Sequence, residues 1–426
     1  MIVDRKKAPG FHTLEGINLI KAVEYSLSNN AELYILNGGS QDILKIELLF
    51  SAGSLFQEGP LIASTVNKII SEGTAKHSSS EIAGIIDYYG AFLQTDADKD
   101  FATVTLYVLN KHLKNVLPVF KEIITDAIFP EEELTTFIQN EKQKFLVENE
   151  KVNRIAGKHF NELLFGPSSP YGYNVKLEDY DKLDRKKLID FHHKHYKANN
   201  CKIIVSGKAD TTAIDLIVTY FGNDWASGED ILSKKPVQVT TKNRTNIVVK
   251  QDAVQSAIRI GRTMFNKTHP DYMGMQVLNT VLGGYFGSRL MSNIREEKGY
   301  TYGIGSGIVS MQHGGYFFIS TEVGVDVCQK AIDEIYLELR RLREDLIPEN
   351  ELQLVRNYLM GVFLRSVDGP FALADRFKSI IEYNLGYEFY ENYIHTVKNI
   401  SSGTLRELAS KYFKEEEMIE LVVGKK

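Results

Sequence analysis

The sequence predicts an α+β fold: two homologous α+β domains in tandem, each a mostly antiparallel sheet packed with helices, facing each other across a cleft. Three observations lead there. First, "AIFPEEELTTFIQNEKQKF" (127–145) recurs as "DLIPENELQLVRNYLMGVF" (345–363), so that Pro130, Glu131, Glu133, Leu134 and Phe145 map onto Pro348, Glu349, Glu351, Leu352 and Phe363 at a constant offset of 218. Second, "HYKANNCKIIVSGK" (195–208) matches "YFKEEEMIELVVGK" (412–425) at an offset of 217. Two distant regions sharing nearly one offset mark a duplicated unit. Third, strand-like and helix-like stretches are interspersed without a regular βαβ alternation, which separates an α+β unit from a doubly wound one.

Within the first copy, "ILKIELLFSAG" and the alternating, β-branched "FATVTLYVL" read as strands, and "NVLPVFKEIITDAI" as an amphipathic helix. A long helix opens at Glu131, where proline in the first turn and three acids near the amino-terminal dipole favour initiation. "CKIIVSG" closes the unit as a strand. The second copy repeats the order with "SAIRIGRTMF", "GGYFFISTEV", "CQKAIDEIYLELRRLRE", the Pro348 helix and "MIELVVG". This gives a first domain over 1–221, a second over 247–426, and between them a Gly-, Ser- and Lys-rich linker, 222–246.

At 426 residues, 43% hydrophobic and 25% charged, the chain has material for two large cores. Its two cysteines, Cys201 and Cys328, lie far apart outside any Cys-x-x-Cys pattern, which argues against a thiolate zinc site or a disulfide framework. A formal net charge of -5 without a dense basic run gives no support for a nucleic-acid partner. No stretch approaches a membrane span, and the charged amino-terminal "MIVDRKKAPGFHTLEGINL" has no secretory h-region. A cytoplasmic location without membrane attachment is therefore expected, with a periplasmic one requiring that a signal had been removed.

One stretch, "STVNKIISEGT" (64–74), reads as a helix with Ser64, Asn67 and Lys68 at i, i+3, i+4. That is the spacing by which a helix aims three groups at one target. Its other face, Ile62, Val66, Ile69 and Ile70, is a core stripe needed whatever the polar face does. Histidines elsewhere are weak alternatives: in "FHHKHY", His192, His193 and His195 read as a solvated helix face, and His77 as a loop or cap residue. No nucleophile elbow, P-loop or Cys-His signature is visible.

A helix ending in Gly73-Thr74, followed by "YYGAFLQTDADKD", resembles the first half of the M16 metallopeptidases, the pitrilysin and insulinase-like group. "GGYFGSRLMSNIREEKGYTYGIGSG" (283–307) resembles that family's second half more closely still. The resemblance spans nearly the whole chain and implies a short, two-domain member forming half of a clamshell. In active members a helix carries His-x-x-Glu-His: the histidines bind zinc, the Glu is general base, and a Glu on a later helix completes the metal site. Aligned on Gly73-Thr74, Ser64 and Lys68 stand at the histidine positions and Asn67 at the base. A hydroxyl is a poor zinc ligand, an ammonium repels the ion, and an amide takes no proton from water. Glu141 and Glu148 match the two family glutamates, Glu148 at the ligand position; Lys68 is expected to pair with one of them in place of a metal.

Arg295 and Tyr302, by contrast, match a family pair that contacts substrate, where a guanidinium and a phenol donate to peptide carbonyls and a developing oxyanion. Tyr300 and Tyr302 are expected on one strand face, either phenol within reach of a peptide, and Gly299 in the turn after a helix that starts near Ser288. The resemblance thus implies a subunit of a two-chain peptidase. It has no cofactor of its own, the zinc is expected in a sister chain with the intact motif, and the substrate is an extended peptide; in isolation a homodimer is the open alternative. The rival expectation is a catalytically silent scaffold or peptide-binding protein of the same fold.

Overall fold

Strand-forming residues at alternate positions and helices of period 3.6 combine into two sheets, each covered by helices. The computed structural model describes residues 19–229, 231 and 244–426. In the first half, β1 (Val23–Ser26), β2 (Glu32–Asn37), β3 (Ile43–Phe50), β4 (Phe92–Ala97), β5 (Ala102–Leu109) and β6 (Cys201–Gly207) form a sheet in the order β1-β2-β6-β3-β5-β4. In the second, β7 (Thr245–Val249), β8 (Gln255–Met264), β9 (Thr301–Met311), β10 (Gly314–Gly324) and β11 (Ile419–Gly424) form one in the order β7-β11-β8-β10-β9. Each sheet is antiparallel except for one pair, β2 with β6 and β7 with β11. Strands β2, β6, β3, β5 and β4 therefore correspond in order and direction to β7, β11, β8, β10 and β9, and the repeat read in the sequence is a repeat of topology.

The first half carries α1 (Ile62–Lys68), α2 (Ser79–Tyr88), α3 (Leu113–Thr125), α4 (Glu131–Glu148), α5 (Val152–Phe165), α6 (Arg185–His195) and α7 (Thr211–Gly222). The second carries α8 (Tyr272–Asn279), α9 (Cys328–Glu344), α10 (Glu349–Arg365), α11 (Pro370–Ile381), α12 (Glu388–Asn399) and α13 (Ser402–Tyr412). No helix among the described residues is long and apolar enough to cross a membrane. Part of the expected linker, 222–246, and the amino-terminal residues 1–18 lie outside the described residues. The described start of that linker belongs to the first-half core: Trp225 is buried among Phe50, Phe221 and neighbours, and its indole N–H donates to the Tyr196 carbonyl.

The two halves exchange a helix. α5 of the first half lies on the second sheet, where Ala156, Phe160 and Leu164 pack with Ala257, Leu421 and Val423. Its counterpart α11 lies on the first sheet, with Leu373, Phe377 and Ile380 against Tyr34, Leu36 and Ile204. Each such buried Leu, Ile or Phe stabilises by about 1.5–3 kcal/mol. Along α11 a polar seam crosses between the halves: Lys45 Nζ meets Asp375 at 2.5 Å and Glu47 at 3.1 Å, and Lys378 Nζ meets Glu47 at 2.6 Å.

The structure corrects one expected surface. His192 and His195 are not on a solvated face; both are buried in the first half, with His193 alone exposed. His192 Nε2 lies 2.9 Å from the Ile124 carbonyl and its ring stacks on Tyr196, while His195 stacks on Phe191. Burial pulls both pKa values down to about 4. The aromatic neighbours supplied by Phe56, Phe129, Phe191 and Tyr196 turned a polar-looking run into core.

Candidate functional site

The stretch 64–74 is helical only through Lys68; Ile69 to Glu72 form turns, and Gly73 and Thr74 pair with Ser78 and Ala127 through isolated β-bridges. Gly73 has φ 151°, and a Cβ there would lie 2.8 Å from Pro130 Cγ, so the end of this segment is locked against the start of α4. Thr74 and His77 hold the loop further: His77 Nδ1 is 2.8 Å and Lys76 Nζ 3.2 Å from the buried Glu122 carboxylate. Ile62, Val66, Ile69 and Ile70 are all buried, as the core stripe requires.

On the other face, each side chain is engaged within the protein. Ser64 Oγ donates to the Leu61 carbonyl at 3.1 Å. Asn67, fully buried, donates to the Thr103 carbonyl at 3.1 Å and lies 3.2 Å from the Tyr196 hydroxyl. Lys68 Nζ donates to Glu141 Oε2 at 2.9 Å and sits 5.7 Å above the Phe137 ring. Of the two acids considered as its partner, Glu141 is the one it meets. Glu148 stands apart, 2.7 Å from Lys151 and 2.6 Å from Arg154. Burial alone would raise the Glu141 pKa, but hydrogen bonds from Lys144 and Lys68 more than offset it and hold the carboxyl below its usual range. Lys151 does the same for Glu148.

A hydroxyl, an amide and an ion-paired ammonium do not fit zinc, which takes neutral imidazoles, thiolates and carboxylates. Among the described residues no other group of three His, Cys, Asp or Glu side chains is placed to hold a metal.

The second-half segment is built differently. Two π-helical turns, Thr280–Gly284 and Met291–Glu297, flank the loop 285–288; such turns recur at functional positions. Asn293 anchors the second one, donating to Glu334 at 3.0 Å and to the buried Glu338 at 2.8 Å. The turn after it closes with Gly299 at φ 67° and with the Tyr300 N–H bonded to the Ile294 carbonyl at 3.0 Å.

Here β9 carries a bulge. Thr321 pairs with Ile304 but Val323 with Thr301, so Tyr302 and Gly303 together face Glu322. Thr301 Oγ1 donates to the Glu322 carbonyl at 2.7 Å and Thr321 Oγ1 to the Gly303 carbonyl at 3.0 Å, which fixes the distortion. The expected equivalence of Tyr300 and Tyr302 therefore fails: Tyr300 precedes the strand and leans on the second core, whereas Tyr302 is 93% exposed.

Arg295 is held at two points. Its Nε donates to the Tyr302 carbonyl at 3.0 Å, and its guanidinium lies 4.7 Å from the ring centre of Phe286. Among the described residues Glu296 also approaches, at 4.0 Å from Nη1. The guanidinium is thus held at two points, and its side chain is 35% exposed. Phe286 was not singled out in the sequence, although it stands inside the quoted Gly-Gly-Tyr-Phe-Gly segment.

Fold and site together define a tandem α+β chain in which, among the described residues, no cluster of His, Cys, Asp and Glu is placed to hold a metal. Residues 36–164 match the family described as insulinase, peptidase family M16, and residues 182–359 match the peptidase M16 inactive domain. The chain belongs to the M16 peptidase family. Among similar proteins, an uncharacterized zinc protease, YmxG, of Bacillus subtilis (strain 168) is 23% identical over 348 residues, 81% of this chain and 84% of that one. A probable inactive metalloprotease, YmfF, of the same organism is 20% identical over 375 residues, 81% of this chain and 87% of that one. The crystal structure of a peptidase M16 inactive domain from Pseudomonas fluorescens has the same fold, with TM-score 0.87, 21% identity, and coverage of 95% and 98% of the two chains. A protease from Helicobacter pylori does as well, at TM-score 0.85, 17% identity, and coverage of 95% and 100%.

Proposed function

We propose that this chain is the non-zinc-binding subunit of a two-chain M16-like peptidase, lending Arg295 and Tyr302 to a sister chain that carries the zinc site. The observation that carries the reading is the contrast between the two halves. The side chains at 64, 67, 68, 141 and 148 are engaged with their own protein, whereas Arg295 is oriented by Phe286 and the Tyr302 carbonyl and, among the described residues, has its outer N–H groups outside any hydrogen bond, Glu296 approaching to 4.0 Å. An extended peptide laid across this segment offers carbonyls to those N–H groups and to the Tyr302 hydroxyl, so the pair binds the peptide and stabilises negative charge developing on a carbonyl oxygen.

The test mixes the purified chain with an M16 homologue bearing an intact His-x-x-Glu-His and follows cleavage of a quenched fluorescent peptide. Arg295→Ala is expected to lower kcat/KM by about 10²-fold, the usual cost of one oxyanion donor. Unchanged activity in both Arg295→Ala and Tyr302→Phe mixtures rules the shared site out. The rival reading, a catalytically silent binding protein, draws on the loss of the whole zinc triplet and on the similarity to a probable inactive metalloprotease. It predicts no cleavage in any mixture.

A further inference from the structure

Where α5 crosses the second sheet, a cavity of about 430 Å³ opens between Asn153, Arg154, Gly157 and Lys158 on the helix and Arg259, Tyr316 and Phe318 on β8 and β10. Three of its lining side chains are cations and none is an acid. Arg154 is already matched by Glu148 at 2.6 Å, and Lys158 donates to Asn149 Oδ1 at 2.7 Å. Arg259 is not matched. Its Nη2 bonds the neutral Asn153 Oδ1, its Nε is buried without a partner, and no carboxylate among the described residues lies within 4.0 Å. The nearest acid acting on it, Glu322, stays beyond that distance.

Arg259 is half-buried, with its Nε enclosed and its guanidinium 6.0 Å from the Phe318 ring centre, and a guanidinium keeps its charge at any pH a folded protein meets, so it cannot shed the cost of desolvation by losing a proton. A partly desolvated charge without a counter-charge is unfavourable, and an anionic ligand would relieve that cost. The space for that ligand is also present. The cavity of about 430 Å³ itself provides it. A Cβ on Gly157 would meet nothing within 4 Å.

We infer that the cavity between α5 and the second sheet is an oxyanion-binding site, with Arg259 as its central donor, Arg154 and Lys158 at its rim, and Tyr316 and Phe318 as walls for the apolar part of the ligand. The shared chemistry is a carboxylate or phosphate oxygen accepting from a guanidinium fork. Acidic peptide segments and small phosphates both carry it. The site is independent of the Arg295 and Tyr302 reading.

The test is thermal unfolding of the full chain alone with three additions: pyrophosphate, a capped hexapeptide of glutamate, and the same peptide of glutamine. At about 100-fold excess over Kd, a ligand of the folded state raises Tm by about 2–4 °C. A rise with pyrophosphate assigns a small phosphate, and a rise with the glutamate peptide alone assigns an acidic peptide. No rise with either, or an equal rise with the glutamine peptide, overturns the site. Arg259→Met, similar in volume and without charge, is expected to keep or raise the ligand-free Tm and abolish the response. A purely structural Arg259 would instead lower Tm on substitution. Gly157→Leu fills the cavity and leaves every charge in place; a full ligand response in that variant also overturns the proposal.

Discussion

Replacing Glu382 by glutamine should stabilise the protein at pH 8 and leave it unchanged at pH 4. Glu382 caps the carboxyl end of α11, where that helix meets the first half. Burial pushes its carboxyl up to about 7 from the usual 4.5; Lys378 and Lys267 pull against this, and Asp98 and Glu47 add to it. Between those two values the folded chain holds a proton that the unfolded chain has released. Stability therefore falls as pH rises through the window, and the full penalty stands above pH 7. The shift corresponds to about 3 kcal/mol at most, and to about 2 kcal/mol once water at the partly exposed group is allowed for. The single tryptophan, Trp225, is buried in the first-half core and reports unfolding. Urea titrations of wild type and Glu382→Gln, compared at each pH from 4 to 8, should give midpoints that coincide at the acid end and separate in favour of glutamine toward pH 8. A difference independent of pH, or glutamine weaker at pH 8, would refute the reasoning.

Further outcomes follow from the same contacts. Lys68→Met should change stability by less than about 1 kcal/mol, because the Lys68 side chain is 51% exposed in its pair with Glu141. Asn67→Glu, which restores the residue type of the family's base, should cost more than about 3 kcal/mol in a denaturant melt, since position 67 is fully buried and faces a carbonyl and a phenol. His192→Gln should flatten the acid limb of stability. With the folded pKa at about 4 and the ordinary imidazole value at 6.5, the unfolded chain takes up the proton first, so wild type loses up to about 3 kcal/mol as pH falls through that range. Residues 19–229 expressed alone should aggregate, and should fold when co-expressed with 244–426, because each half's sheet is covered by the other's helix.

The strands and long helices were legible because their patterns are local. β3, β5, β6, β10 and α9 fall where alternation or helical period put them, and the spacing of Pro130 and Pro348 located both long helices. The exchange of α5 and α11 was not legible, since a helix's apolar face does not say which sheet it covers. His192 and His195 were misread for a related reason: a histidine's burial depends on Phe56, Phe129 and Phe191, which only the fold brings alongside. The bulge that separates Tyr302 from Tyr300 depends on hydroxyls of Thr301 and Thr321, twenty residues apart. At 64, 67 and 68 residue type alone says that the side chains are poor zinc ligands, whereas the pairing of Lys68 with Glu141 follows only from the fold.

Hydrogen-bond satisfaction separates the parts of this chain that have become structure from those still facing outward. Buried polar groups are nearly always paired, and a group left unpaired by its own protein is a place where a partner can bind. The side chains of the helix at 62–68 are engaged within the protein, Ser64 in its own turn, the Asn67 amide N–H groups at the junction of β5 and the Tyr196 segment, and Lys68 with α4, while Asn67 Oδ1 is buried without a partner. Glu148 is engaged too, but its partner Arg154 lines the cavity of Arg259. The Glu148 carboxylate thus balances one cation of that cavity, while Arg259, across it on β8, has no carboxylate within 4.0 Å among the described residues. In the second half the same accounting leaves the outer face of Arg295 and the Tyr302 phenol open, on a loop made rigid by a π-helical turn and a stitched bulge. Rigidity around unspent donors is what a site needs, because the entropy of ordering them has already been lost on folding.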